Sequence, residues 1–204
     1  MMETATKTPS NRKLVLTDIL EQRAYERIRE TRRAEIIELK RRRRIALGTI
    51  VTVMFENRDT MQSQIQEMLR VERVVSDEGV LEEIKAYNPM IPEVGQLCAT
   101  LFIELTNDEQ MREWLTKLVG IERAIAIKLA NGEVVKAVVD EGHAEQLTRE
   151  TVTAAVHYIR FEFTPQQVQE FAKGNVQVIS TLSNYLEAVE LADFTVAELL
   201  TDLQ

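Results

Sequence analysis

The stretch AIAIKLANGEVVKAVV, residues 124–139, decides the fold class. Two β-branched, apolar runs, Ala124–Leu129 and Glu133–Val139, flank Asn131-Gly132, a dipeptide that accepts the positive φ angles of a two-residue hairpin turn. The two runs are therefore expected to be antiparallel neighbours. Upstream, Gly120 closes a helix that runs through Leu118 and is capped by Asn107 with Gln110, and Gln96–Leu105 is an apolar run of β character. Downstream, VHYIRFEF (156–163) alternates, with Tyr158, Arg160 and Glu162 on one face and His157, Ile159, Phe161 and Phe163 on the other. Thr164-Pro165 with Gln167 opens a helix ended by Gly174; Val176–Leu182 and Glu187–Leu191 read as short strands, and Thr195 with Glu198 as the cap of a closing helix.

Towards the N-terminus, Thr49–Phe55 reads as a strand. Asp59 with Gln62 caps the helix that follows, whose buried stripe is Met61, Ile65, Met68 and Leu69. Ser76 or Asp77 starts another helix, ended near Tyr87 by Asn88-Pro89 and Pro92. From Thr17 to about Arg44 no Gly or Pro occurs, and Leu20, Ala24, Ile28, Ile36 and Leu39 fall near helical spacing. This predicts one long helix ending in Lys40-Arg41-Arg42-Arg43-Arg44, with Gly48 as its stop. The sum is α+β: a mixed, largely antiparallel sheet of six or seven strands, several helices and a long basic N-terminal helix. The expected organisation is a flexible tail over 1–13, the basic helix over 14–48 and a single α+β domain over 49–204.

The 204 residues suffice to bury roughly two thirds of the unfolded surface, and with only 5% aromatics the interior must be largely aliphatic. The net charge of -8 is unevenly spread: residues 1–44 hold 13 Lys/Arg against 7 Asp/Glu, net +6, and residues 45–204 hold 12 against 26, net -14. A basic head before an acidic body suits docking on an acidic protein partner or a second copy. It disfavours nucleic acid, whose phosphates the body repels and for which stacking aromatics are scarce. One cysteine, Cys98, excludes an intramolecular disulfide. No early apolar stretch resembles a signal peptide and no run approaches the roughly 20 apolar residues of a membrane span. The expectation is a cytoplasmic protein without membrane contact.

Ordinary catalytic equipment is sparse. One Cys and two His cannot supply a four-ligand zinc site. Asp140-Glu141 with His143 reads as the solvated end of the hairpin, so neither metal nor cofactor is expected. Cys98 lies in an apolar strand, where a thiol is an inert hydrophobe, and the seven glycines form no phosphate-cradling loop. His157 is expected as a core imidazole with a hydrogen-bond partner. What remains is the polar junction after the first strand: Glu56, Asn57, Arg58 and Asp59, then Gln64, Glu67 and Arg70 on the helix behind it. These form either a cap with a salt-bridged polar helix face, or an anion grip by Arg58 with Glu56 or Glu67 as acid or base. The run Lys40, Arg41, Arg42, Arg43 and Arg44 is either a solvated helix end or a partner-binding surface.

Three segments, FENRDTMQSQIQEMLRVER (55–73), YNPMIPEVGQLCATLFIEL (87–105) and VHYIRFEFTPQQVQEF (156–171), occur in that order and resemble the bacterial family known as domain of unknown function 3501. The likeness spans about Leu14 to Leu203. It implies association with rubrerythrin-like or iron–sulfur oxidoreductase proteins. It also points, by motif, to Asn57, Arg58, Asp59, Gln64, Gln66, Glu67, Arg70 and Asn88 as ligand-site positions. The leading expectation is a non-catalytic accessory or interaction module. A small-molecule or enzymatic site around Arg58, and nucleic-acid binding by the basic helix, are the alternatives.

Overall fold

The structure is a computed structural model and describes residues 12–139, 148–149 and 152–204. In chain order the elements are α1 (Gln22–Arg43), β1 (Arg44–Leu47), β2 (Val51–Glu56), α2 (Arg58–Glu72), α3 (Asp77–Tyr87), β3 (Gln96–Ile103), α4 (Asp108–Lys117) and α5 (Ile121–Ala124). They continue as β4 (Ile125–Lys128), β5 (Val134–Lys136), β6 (Thr148–Arg149), β7 (Val152–Thr153), β8 (Val156–Glu162), α6 (Pro165–Phe171), β9 (Gln177–Leu182), β10 (Tyr185–Glu190) and α7 (Asp193–Leu203). The chain does turn back at Asn131-Gly132, but through a three-residue loop, Ala130 to Gly132, in which only Gly132 has a positive φ and its N–H donates to Leu129 O at 2.9 Å. Gly132 sits at φ 88°, the Leu129 N–H donates to Glu133 O at 2.8 Å, and Lys128 lies opposite Val134.

The architecture is α+β with antiparallel pairing throughout, but the strands divide between two sheets. One runs β1-β2-β3-β8 and the other β10-β9-β4-β5, with β6–β7 a separate hairpin. The division follows from alternation: a strand with one apolar face must cover it, and two sheets close their apolar faces over one core. Phe55, Leu97, Leu101 and Phe161 from the first sheet meet Ile125, Ile127 and Val178 from the second, and α7 adds Leu199 and Leu203. Phe55 and Phe161 pair with ring centroids 6.1 Å apart.

The outer face of the first sheet carries the helical layer. All six residues of β2 are consequently buried, and α1 packs on it. Between α2, α3 and the N-terminal segment lies a second apolar cluster of Leu14, Met61, Ile65, Leu69, Ile84 and Ile91. The layer thus has its own interior.

Local signals were displaced in four places. The long helix begins at Gln22 rather than Thr17, because residues before it are tied by side chains of α2 and of the residue that follows α3: Gln66 Oε1 accepts the Leu20 N–H at 2.7 Å and Asn88 Oδ1 accepts the Leu14 N–H at 2.9 Å. Gly48 does not stop that helix. The chain passes at once from α1 into β1, and Gly48 forms the β1–β2 turn at φ 70°, where an added Cβ would lie 2.5 Å from the Tyr185 hydroxyl. Asn57, not Asp59, caps α2; its Oδ1 accepts the Thr60 N–H at 3.0 Å and Thr60 Oγ1 accepts the Asn57 N–H at 2.9 Å. At α7 the cap position is Ala192, Thr195 is buried, and Glu198 is drawn away to two arginines.

Candidate functional site

The polar residues after β2 join α1 to α2. Glu67 accepts two hydrogen bonds from Arg29, at 2.8 and 2.9 Å, and one from the Tyr25 hydroxyl at 2.7 Å. The Arg29 hydrogen bonds hold the Glu67 carboxyl below its ordinary pKa, while burial and then Glu67 push the Tyr25 phenol up to about 12. Arg70 Nε meets Glu26 at 2.5 Å, Arg58 meets Asp18 at 2.7 Å, and Asp59 lies 3.6 Å from Arg32. Burial raises the Asp18 carboxyl, but the Val15 N–H and Arg58 outweigh it, leaving the pKa lowered. Gln66 bridges the Leu20 N–H and carbonyl, and Asn88 does the same for Leu14. Gln64 is half-buried and has no hydrogen bond or ion pair among the described residues. Most of these positions therefore anchor the N-terminal segment, and Arg58, Glu67 and Arg70 each face a different partner instead of converging.

The basic run splits in a similar way. Arg43 is fully buried: its Nε donates to Phe55 O at 3.0 Å, Nη1 to Glu198 at 3.0 Å, and Nη2 to Glu56 O and to the Asp202 carboxylate. Burial still holds the Asp202 pKa above its ordinary value, against the pull of Arg43. Arg42 pairs with Glu198 at 3.0 Å and Arg44 with Glu104. Arg41 is exposed, with its guanidinium near Glu38, and Lys40 is half-exposed. Only part of the run faces outward.

A cavity of about 400 Å3 opens elsewhere, on the outer face of the first sheet beneath α2 and α3. Met68, Ala86, Tyr87, Pro89 and Met90 form its helical side; Cys98, Tyr158 and Arg160 rise from β3 and β8, and Glu83 and Val138 stand at its edges. Register explains the convergence. Glu56 is opposite Cys98, Cys98 opposite Arg160 and Thr100 opposite Tyr158, so the alternate positions of three adjacent strands share one face. Glu56, 4% exposed, accepts from the Thr100 hydroxyl at 2.8 Å through Oε1, while Oε2 is buried without a hydrogen-bond partner. Burial raises the Tyr158 phenol above its ordinary pKa, with Tyr87 and Glu56 adding to it. The Glu83 carboxyl is raised by burial and by Glu72 and Glu82. Burial pushes the Cys98 thiol up to about 12, so it is not a thiolate near neutral pH.

A second cavity of about 460 Å3 lies between residues 16–25 and the facing sides of α2 and α3; of its polar groups Gln66 is spent on Leu20 and Arg70 on Glu26, while Arg23 is exposed and makes no ion pair among the described residues. His157 is a core imidazole, 1% exposed, with Nε2 2.8 Å from Thr153 Oγ1 and 2.9 Å from Ala154 O. Burial lowers its pKa, against the charge of nearby Glu122. Among the described residues no group of three or more His, Cys, Asp or Glu could hold a metal ion, and no helix is long and apolar enough to cross a membrane. Asp140, Glu141 and His143 lie outside the described residues.

None of the site candidates read from the sequence lines the 400 Å3 cavity; Glu56 stands one strand over, in register with Cys98 on its wall. The signals for the lining were present but separate: the outward face of VHYIRFEF supplies Tyr158 and Arg160, the Asn-Pro helix stop supplies Tyr87 and Met90, and the Glu82-Glu83 pair supplies Glu83.

The sequence matches, over residues 13–203, the model of a family described as protein of unknown function (DUF3501). No curated protein matches it. A crystal structure of a novel protein of unknown function from Burkholderia pseudomallei K96243 is similar, with a TM-score of 0.86 and 32% sequence identity, over 94% of this chain and 100% of that one.

Proposed function

Since the chain belongs to the DUF3501 family, whose description assigns no activity, we propose from the geometry that it is a non-catalytic accessory module that binds a small molecule. The carrying observation is the 400 Å3 cavity under α2 and α3, of the size of ligand sites and with largely apolar walls broken by a few polar groups. Two features favour binding over chemistry. The thiol on its wall is held protonated, and the polar set after β2 is engaged in joining helices. The test is a saturable rise in melting temperature of the full chain with 4-phenylbutan-1-ol, a neutral probe of suitable size, and its loss in Ala86→Trp, which fills the cavity from α3. No saturable shift in the wild type, or an equal shift in the filled variant, overturns the reading.

A second reading concerns partners. Arg23, Arg27 and Arg33 are exposed on α1 and make no ion pair among the described residues, and beyond residue 44 the chain carries net -14. Reciprocal docking of two copies through this face would be screened by salt. Light scattering at low and high salt checks it: a mass above 23.4 kDa that falls to 23.4 kDa with salt supports docking, and 23.4 kDa at both ends the idea.

A further inference from the structure

Resting on the cavity reading, the geometry points to the chemical class of its ligand: we infer that the cavity takes an organic carboxylate on an apolar body, with the Arg160 guanidinium as its anchor.

Arg160 is the one cation among the described residues that line the cavity. Its backbone is held from both sides. It stands opposite Cys98 of β3, its N–H donates to Val138 O at 2.9 Å, and its carbonyl accepts the Val138 N–H at 2.7 Å. This fixes its side chain on the outer face of the first sheet, where it lines the cavity. Within the guanidinium only Nε is spent, on Glu162 at 3.0 Å; Nη1 and Nη2 make no hydrogen bond or ion pair among the described residues. Those two nitrogens form a planar fork whose parallel N–H groups match the two oxygens of a carboxylate. Glu162 is exposed and is not part of the cavity lining, so it leaves that fork open.

The surroundings favour an anion at this wall. The charges felt at the Cys98 thiol, opposite Arg160, are led by Lys13 and Arg160, with Asp202 and Glu56 behind them. The single carboxyl of the lining, Glu83, has its pKa raised by burial and by Glu72 and Glu82, so it takes up a proton more readily than an ordinary carboxyl when an anion enters. Tyr158, its pKa raised above the ordinary value, keeps its phenolic proton near neutral pH, and Tyr87 brings a second hydroxyl to the same cavity.

The helical side suits the rest of such a molecule. Met68, Ala86, Pro89 and Met90 provide apolar surface, and a volume of about 400 Å3 admits one aromatic ring with a short alkyl tether.

The experiment compares three probes of one shape on the full chain by titration calorimetry near neutral pH: 4-phenylbutyrate, 4-phenylbutan-1-ol and 4-phenylbutylamine. The acid is expected to bind about tenfold more tightly than the alcohol, the gain of a charge-assisted fork over a neutral contact, with the amine weakest. Arg160→Met keeps the aliphatic stem and removes the fork; it should bring the acid down to the affinity of the alcohol, while unchanged alcohol binding shows the cavity intact. Should that variant not fold, Arg160→Lys, which keeps the charge but not the fork, is read in its place and should also narrow the acid-to-alcohol ratio. Glu162→Gln should leave the acid preference in place or strengthen it, because it removes the competing carboxylate. If the alcohol or the amine binds as tightly as the acid, the carboxylate assignment falls while the cavity reading stands. If none of the three binds, both fall. An acid preference unchanged by the Arg160 substitution, or lost as fully in Glu162→Gln, overturns Arg160 as the anchor.

Discussion

Replacing Arg43 by Met keeps much of the side-chain volume and removes the charge at the one point where α1, β2 and α7 meet. The guanidinium is fully buried and serves four acceptors: the Phe55 and Glu56 carbonyls and the carboxylates of Glu198 and Asp202. Asp202 is 7% exposed, so without Arg43 it must either stay charged in the interior or take up a proton. Removing one partner of a buried pair costs about 3–5 kcal/mol, because the remaining charge is left uncompensated. For a chain of this length each kcal/mol moves the melting point by roughly 2–4 °C, so Arg43→Met should lower it by about 10 °C. Urea titration should show the same loss as a shifted midpoint with little change in slope. Asp202→Asn, added to Arg43→Met, should restore part of the stability, since the double variant no longer buries a lone carboxylate. A loss below about 1 kcal/mol for Arg43→Met, or a double variant no better than the single one, would refute the account of Arg43 as a compensated buried charge.

Other changes test the remaining assignments. Asn57→Ala should cost about 1 kcal/mol and Asp59→Ala much less, because the cap hydrogen bond is made by Asn57; equal losses in chemical denaturation would contradict this. Glu67→Gln should cost about 1 kcal/mol at neutral pH, a value reduced for partial exposure. Since the folded Glu67 pKa is below the ordinary 4.5, its contribution is full above that value and is lost as pH falls through the folded pKa. The wild-type advantage in melting temperature should therefore shrink on acidification, and an advantage that grew in acid would be inconsistent. Cys98, with its pKa pushed to about 12, should resist an aromatic disulfide reagent at pH 7.5 in the native protein and react fully in urea; prompt native reaction would show an accessible thiolate.

Sequence by itself determined the elements whose causes are local. The antiparallel pairing around Asn131-Gly132, the Thr164-Pro165 helix start and the alternation from His157 to Phe161 depend on residues a few positions apart, and each is present, although the loop spans Ala130 to Gly132 with only Gly132 at positive φ. Membership of the family was legible from the three quoted segments, and the match over residues 13–203 supports it. The polar residues from Glu56 to Arg70 were singled out by their density, but only tertiary structure decided that Asp59, Glu67 and Arg70 clasp α1 to α2, because their partners Arg32, Tyr25, Arg29 and Glu26 lie some thirty to forty positions earlier. The burial of Arg43 was hidden for a related reason. An arginine in a basic run looks solvated until Glu198 and Asp202, more than 150 residues away, close over it. The cavity gathers Met68, Tyr87, Cys98 and Tyr158 from two helical stretches and two strands, and only pairing register and the packing of α3 over the sheet bring them to one wall.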